Sequence, residues 1–357
     1  MSTVGDRTLA GRLLGRLDGG QDHVALRRQA SSLLRRHIGY DLAVWATVDP
    51  ATVMWTSCVL DGMSRDEELE NQVFANEYGQ ADVLKLTDLA AGDRIGALSA
   101  ATDGDPAASP RFREVLAPRG FTDELRLVFH DGDSAWGALC LYRAGGRFTH
   151  GDLAELAPLG RPFAGALRSS LVRGSAGPPP AGGESAGAVA AGLILAGTDG
   201  RILEINADAQ ALLGARSPEG LPQAVQAVVA RRVAGLPAST TVPAGTGWLA
   251  LHATDLGGSP AVVVERVRPQ QMAGIVVRSR GLTPREQHVL EHVARGSSNR
   301  QVARALGLSE YTVQDHLKAI FTKFEVNSRN ELLAALFFNF FAPLHAADES
   351  LRSDTAC

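Results

Sequence analysis

The chain has 357 residues, a formal net charge of −4, 45% hydrophobic and 21% charged residues: the proportions of a soluble globular protein with room for two or three domains. No apolar run reaches the length needed to cross a bilayer, and the polar start M-S-T-V-G-D-R lacks a signal peptide's apolar region, so a cytoplasmic protein without membrane contact is expected. The three lysines, Lys85, Lys318 and Lys323, never follow a glycine, which excludes a phosphate-binding P-loop, while Cys58, Cys140 and Cys357 have neither C-x-x-C nor metal spacing.

From the start of the chain, His23 to Ile38 reads as an amphipathic helix carrying Val24, Leu26, Ala30, Leu33 and Leu34, closed by Gly39. Asp41 to Val48 and Val53 to Leu60, rich in β-branched and aromatic residues about a D-P-A-T turn, predict a hairpin. Ser64 with Glu67 predicts the cap of a helix through Val73, Phe74 and Tyr78. Glu124 to His130 and Trp136 to Arg143 predict a second hairpin about Asp131-Gly132. Phe148-Thr149 then opens a helix through Leu153, Leu156, Leu159, Phe163 and Leu167. This order, with W-G-A-L-C-L-Y-R before F-T-H-G-D-L, resembles a GAF sensor domain, here over 1–173. The resemblance implies an α+β fold with a small molecule or a partner on the concave side of its sheet. Trp45, Trp55, Phe129 and Trp136 are the candidates for lining such a pocket, with ordinary core packing the preferred reading for most of them.

Residues 174–187, G-S-A-G-P-P-P-A-G-G-E-S-A-G, have too little apolar content to pack and predict a linker. G-L-I-L-A-G-T-D-G-R-I-L-E-I-N-A-D-A-Q-A-L-L-G then resembles the opening of a PAS domain: strand, Asp199-Gly200 turn, strand and a short helix ended by Gly214. Trp248 to Ala253 and Ala261 to Arg266 supply two later strands, giving a small α+β PAS-like region over 188–269, short for its kind and suited to packing or dimerisation. With no cysteine placed for a flavin adduct, and His252 a lone strand histidine better read as packed or solvated than as a haem ligand, no cofactor is expected.

From Leu282 to Phe341 four apolar-periodic segments each carry a start signal. Thr283-Pro284 with Glu286, Ser298 with Gln301, and Ser328 with Glu331 are capping boxes, and Ser309 caps the remaining helix alone. Gly296 and Gly307 stand where left-handed C-terminal residues belong. Val289, Leu290 and Val293 face inward from the first helix, and Val302, Ala303 and Leu306 from the second. Gly307-Leu308-Ser309 is a helix-turn-helix joint. On the third helix Val313, Leu317, Ile320 and Phe324 form one stripe, opposite Tyr311, Gln314, Asp315, Lys318 and Thr322. Such a division suits a helix that rests on a small core and enters a major groove.

The motifs L-T-P-R-E, S-N-R-Q-V-A-R-A-L-G-L-S-E-Y-T-V, D-H-L-K-A-I and V-N-S-R-N-E-L resemble the LuxR-type (NarL-type) DNA-binding domain, an all-α four-helix fold expected over 276–343 with a tail at 344–357. The absent P-loop excludes that family's large ATP-hydrolysing members. The resemblance implies base reading by Gln314, Asp315 and Lys318, and phosphate contacts from Arg300, Thr312, Lys323 and Arg329, with Ser309, Tyr311 and Thr322 on the same interface. Physically, Gln314 suits an adenine edge, Lys318 a guanine, and Asp315 a cytosine amino group at the cost of repelling phosphate. Tyr311 stands where the family usually has a basic residue. The fourth helix carries Leu333, Phe337, Phe338 and Phe341 among apolar residues spread over more than half its circumference, which predicts a pairing surface in a homodimer.

Residues 278–343 hold nine basic against six acidic residues, about +3, leaving about −7 on the remainder. A basic head on an acidic body concentrates attraction for double-stranded DNA at one end. No nucleophile with a placed base, paired carboxylates or metal cluster stands out, so an enzyme is not expected. The leading expectation is a multidomain, cytoplasmic, dimeric transcription regulator with N-terminal sensor regions, an unidentified small-molecule effector and RNA polymerase as a candidate partner. Control by a protein partner alone, or an enzyme with an unrecognised N-terminal site, are the alternatives.

Overall fold

The computed structural model describes residues 9–15, 22–132, 134–174, 191–214, 223–244, 247–267 and 280–340. They fall into two compact units that divide after Arg266. The linker proposed at 174–187 and the tail at 344–357 lie, apart from Gly174, outside the described residues.

The first unit opens with α1 (Leu9–Leu14) and α2 (His23–Leu34), the latter capped by Asp22 and ending four residues earlier than its apolar pattern suggested. β1 (Leu42–Val48) and β2 (Trp55–Asp61) form the expected antiparallel hairpin. α3 (Glu67–Gly79) is capped by Asp66, whose carboxylate accepts from the Glu68 and Leu69 N–H groups. Ser64 stands too early to reach them. α4 (Leu86–Ala91), β3 (Ile95–Ala97) and α5 (Leu98–Ala101) lead to β4 (Asp123–Asp131) and β5 (Ser134–Arg143), paired as expected. The strands make one antiparallel sheet in the order β2-β1-β5-β4-β3. The closing helix is broken: α6 (His150–Leu156), a 3-10 turn at Ala157–Leu159 and α7 (Gly160–Gly174) replace one continuous segment. Pro158 has no N–H to continue the ladder and its ring would clash with the carbonyl one turn back.

All seven residues of β1 are buried, so both faces of this sheet are covered. Strand alternation sends Ala43 and Trp45 to one face, beneath Leu26, Ala30, Leu156, Phe163 and Leu167 of the helices, and Leu42, Val44 and Ala46 to the other. Arg27 is fully buried on α2 and ties it to the strands, donating to the carbonyl oxygens of Trp45 at 2.9 Å and Ser57 at 3.2 Å. Across the second face runs a buried ionic chain. Glu124 accepts from Arg111 Nε at 2.9 Å and Arg126 Nε at 2.7 Å, Arg126 reaches Glu77 at 2.6 Å, and all four side chains are almost wholly buried. Burial pushes the Glu124 carboxyl up, but the two guanidiniums outweigh it and hold it below the usual carboxylate range.

The second half repeats a five-stranded antiparallel sheet, order β7-β6-β10-β9-β8. β6 (Gly192–Ala196) and β7 (Ile202–Ile205) flank the Asp199-Gly200 turn, and α8 (Ala207–Leu213) follows. α9 (Gln223–Val233) and β8 (Ser239–Ala244) were not foreseen; β9 (Gly247–Leu256) and β10 (Ser259–Arg266) were. His252 is exposed on β9. The two sheets share one contiguous core, which joins Val44, Phe74 and Cys140 to Val225, Val228, Leu251 and Val262. α9 is its centre, buried at every residue from Gln223 to Val229 and packed against α3 and β2 as well as β9 and β10.

The second unit holds α10 (Pro284–Ala294), α11 (Asn299–Leu306), α12 (Glu310–Phe324) and α13 (Arg329–Phe340) around a core of Val289, Leu290, Val293, Val302, Val313, Leu317, Ile320, Phe324 and Leu332.

Candidate nucleic-acid interface and an apolar cavity

The joint that presents α12 is built from local hydrogen bonds. Ser298 and Gln301 close a reciprocal box at the start of α11, with Gln301 Oε1 2.7 Å from the Ser298 N–H. Gly307 ends α11 at φ 64°, where a side chain is strained. Ser309 Oγ accepts from the Thr312 N–H at 3.0 Å and opens α12 two residues later. At the far end Glu325, not a glycine, takes the left-handed position at φ 59°. The box expected at Ser328 is incomplete: Ser328 Oγ caps the Glu331 N–H at 3.1 Å, but Glu331 accepts from Asn327 instead, one residue upstream.

α12 divides as its periodicity requires. Val313, Leu317, Ile320 and Phe324 are buried, while Tyr311, Gln314, Asp315, Lys318 and Thr322 are exposed, Tyr311 at 72%. Ser309 and Arg300 are exposed beside them and Thr312 is half-buried, its hydroxyl 2.8 Å from Ser309 Oγ. Lys318 Nζ lies 3.5 Å from Asp315 Oδ1, an exposed pair of small energetic consequence that partly offsets the lysine's field. Thr322 donates back to the Lys318 carbonyl at 3.0 Å. The face therefore combines an amide, a carboxylate, an ammonium and a phenol on one rigid helix.

Two residues proposed for phosphate have other partners. Lys323 Nζ bonds Glu286 Oε2 at 2.6 Å and the Gly281 carbonyl at 2.8 Å, fastening the end of α12 to the start of α10. Burial raises the Glu286 carboxyl, but Lys323 and the Thr283 N–H more than reverse this and leave it lowered. Arg329 donates to the Ser297 carbonyl at 2.5 Å and holds the loop between α10 and α11. Sequence spacing marks both as basic surface; only the fold shows that their donors are engaged. On α13, Leu333 is half-buried against the core. The side chains of Phe337 and Phe338 and the whole of Phe341 lie outside the described residues.

The four aromatic candidates for one sensor pocket do not meet. Trp45 and Phe129 pack with Phe163 at centroid distances of 5.1 and 4.6 Å beneath the helices, and Trp136 lies in the same core. Trp55 borders a cavity on the opposite face of the sheet, with Leu42, Val44, Leu60, Phe74 and Tyr142, and the other three are not part of its lining. Period-two alternation in L-A-V-W-A-T-V already separates Val44 from Trp45, and that register, rather than aromatic size, was the signal for the cavity wall.

A small four-helix core with a glycine turn between two of its helices and an exposed polar face on the second of them defines the second unit as a helix-turn-helix domain. Residues 280–336 match the family described as bacterial regulatory proteins, luxR family, so this unit is a LuxR-type DNA-binding domain. Similar segments occur in the uncharacterized transcriptional regulatory protein YhcZ of Bacillus subtilis, 46% identical over 56 residues (16% of this chain, 25% of that one), and in the monoamine regulon transcriptional regulator of Klebsiella aerogenes, 43% over 53 residues (15% and 23%). The nitrate/nitrite response regulator NarL of Escherichia coli is 42% identical over 50 residues (14% and 23%). The chain thus spans a quarter or less of the length of these relatives. Among solved structures, a phage VqmA–DPO complex is 19% identical with a TM-score of 0.25, covering 43% of this chain and 83% of that one. A Vibrio cholera VqmA–ligand–DNA complex is 17% identical with a TM-score of 0.23, covering 43% and 84%. Among the described residues no helix is long and apolar enough to cross a membrane.

Proposed function

We propose that the whole chain is a cytoplasmic transcription regulator, not an enzyme, whose α12 reads the major groove of double-stranded DNA while the first unit biases that binding. The observation that carries this is the exposed face of Gln314, Asp315 and Lys318 on a helix whose other side is the domain core, inside the segment that matches the LuxR family. Arg300 and Lys318 are the cations best placed for phosphate or base edges; Lys323 and Arg329 act by holding the domain together. The α+β halves are read as GAF-like and PAS-like sensor regions, supported by W-G-A-L-C-L-Y-R forming the last strand of the first sheet and F-T-H-G-D-L leading into α6. The cavity supports a small-molecule effector. Pairing through α13 makes the active form a homodimer on two half-sites about one helical turn apart, with RNA polymerase as its further partner.

Selection from a random duplex library tests this. The full-length protein enriches a paired half-site, and Gln314→Ala with Lys318→Ala lowers affinity for it by about 30-fold or more, as loss of two base contacts at about 1–3 kcal/mol each implies. If the double variant selects the same sequences with the same affinity, α12 does not read bases.

A further inference from the structure

Two exposed side chains of α12 converge on one point. Asp315 and Lys318 stand three residues apart, about 4.5 Å along the helix axis. Their tips lie closer than that, with Lys318 Nζ 3.5 Å from Asp315 Oδ1. Their backbone positions are fixed from beneath, because Val313, Leu317 and Ile320 are buried in the domain core. Among the described residues each is the other's one ion-pair partner, whereas the Lys323 ammonium on the same helix is spent on Glu286 and the Gly281 carbonyl.

The contact leaves most of the pair's hydrogen-bonding capacity free. An ammonium has three donors and a carboxylate about four lone-pair sites, and one of each is used. With the side chains 66% and 50% exposed the pair is weak, so neither group is withdrawn from an incoming duplex. What the helix presents is a donor and an acceptor side by side.

That couple is complementary to a single base pair. In the major groove G·C shows two acceptors, guanine N7 and O6, and then a donor, cytosine N4. O6 and N4 are hydrogen-bonded to each other and lie about 2.9 Å apart, close to the separation of the two protein tips. With the ammonium over N7 and O6, the carboxylate falls on the N4 amino group. A·T and C·G both exchange donor and acceptor at the O6 and N4 places, which sets the ammonium against an amino group and the carboxylate against a carbonyl oxygen. T·A keeps the order at those two places but puts the thymine methyl where guanine has N7.

Resting on the reading of α12 as the base-reading helix, we propose that Asp315 and Lys318 act together on one base pair, selecting G·C first, T·A second, and rejecting A·T and C·G. Lys318 alone reaches the acceptors of a guanine on either strand; the carboxylate beside it decides which strand carries the guanine.

The duplex selection, run with full-length wild type, Asp315→Ala, Lys318→Ala and Gln314→Ala, tests this. In the wild-type site one base pair shows G·C preferred over A·T and C·G by about tenfold or more, with T·A as runner-up. Asp315→Ala and Lys318→Ala each flatten the preference at that same pair and leave the others as they were. Titration of the selected duplex with N4-methylcytosine at that pair, which keeps its pairing but covers the amino hydrogen facing the groove, shows wild-type affinity reduced about tenfold and Asp315→Ala affinity unchanged. The methylated duplex needs no variant, so the wild-type result holds even where a substitution disturbs the fold. Variants that flatten two different pairs overturn the couple, as does a methylated duplex bound like the plain one. Tighter binding of every sequence by Asp315→Ala, with preferences intact, also overturns it and reduces the carboxylate to a charge offset. If Gln314→Ala reshapes the enriched sequence and Asp315→Ala does not, the couple alone fails; if none of the three variants reshapes it, base reading by α12 fails as well.

Discussion

In α10 to α12 each start is determined within four residues, by Thr283 with Glu286, Ser298 with Gln301 and Ser309 with Thr312. In the first sheet the decisive contacts reach much further: Arg126 on β4 meets Glu77 on α3, and Arg27 on α2 holds carbonyls of β1 and β2. The difference teaches where free energy sits. Local caps decide where a helix begins but contribute modestly, whereas buried polar networks set how separate segments assemble and are costly to interrupt. The four tryptophans all lie in the first unit, so their fluorescence follows that unit alone while the helical circular dichroism signal also follows the second.

The largest effect should come from the ionic chain. Glu124→Gln leaves Arg111 and Arg126 facing a neutral amide in a dry site, and removing one partner of a buried pair costs about 3–5 kcal/mol. Urea unfolding followed by tryptophan fluorescence should show the first unit weakened by that amount. A loss below about 1 kcal/mol would place this chain with ordinary surface pairs and erase the contrast between the units.

Next comes acid sensitivity centred on His23. Its pKa falls from 6.5 to about 4, mainly by burial and then by the Arg27 guanidinium, which lies 2.9 Å from its Nδ1. The unfolded chain therefore takes up a proton below pH 6.5 that the folded chain refuses until about pH 4. Stability is complete above pH 6.5 and falls across that window, by about 3 kcal/mol in all. His23→Gln, which keeps an acceptor for Arg27, should flatten this slope in fluorescence-monitored melts; an unchanged slope would assign the acid sensitivity to other groups.

How much of this was legible follows from the same contrast. The stripe Val313, Leu317, Ile320 and Phe324, the turn at Gly307 and both hairpins of the first sheet could be read because periodicity and turn chemistry are properties of neighbours. Trp45 and Trp55 pack in different cores, and aromatic content alone could not separate them because it says nothing about which face of a strand a residue takes. α9 was missed because a helix buried all round, A-V-Q-A-V-V, has no amphipathic signature. The engagement of Lys323 and Arg329 within the domain was invisible for a third reason: their partners Glu286 and Ser297 are more than thirty residues away, and a basic residue looks the same whether its donors are spent or available.

Thr283→Ala gives the smallest effect and the sharpest test of the comparison. Thr283 Oγ1 accepts from the Glu286 N–H at 3.3 Å, and the Glu286 carboxylate accepts from the Thr283 N–H at 2.6 Å. Alanine removes the first bond and the hydroxyl's own contribution to the Glu286 carboxylate, but not the backbone bond. The carboxylate keeps its bond to the backbone and to Lys323, so the link between α10 and α12 survives. The expected cost is that of a lost cap, about 1 kcal/mol. It should appear as an earlier loss of helical signal from the second unit, with the tryptophan transition of the first unmoved. A cost near 3 kcal/mol would mean that the hydroxyl organises the Glu286–Lys323 pair as well, and the local character of this unit would have been overstated. Acid gives the complementary reading: the Glu286 pKa is depressed, so the stability it confers is present above the ordinary glutamate range and is lost as pH falls through its folded value. In Thr283→Ala that acid loss should persist, because the ion pair that causes most of the depression is untouched.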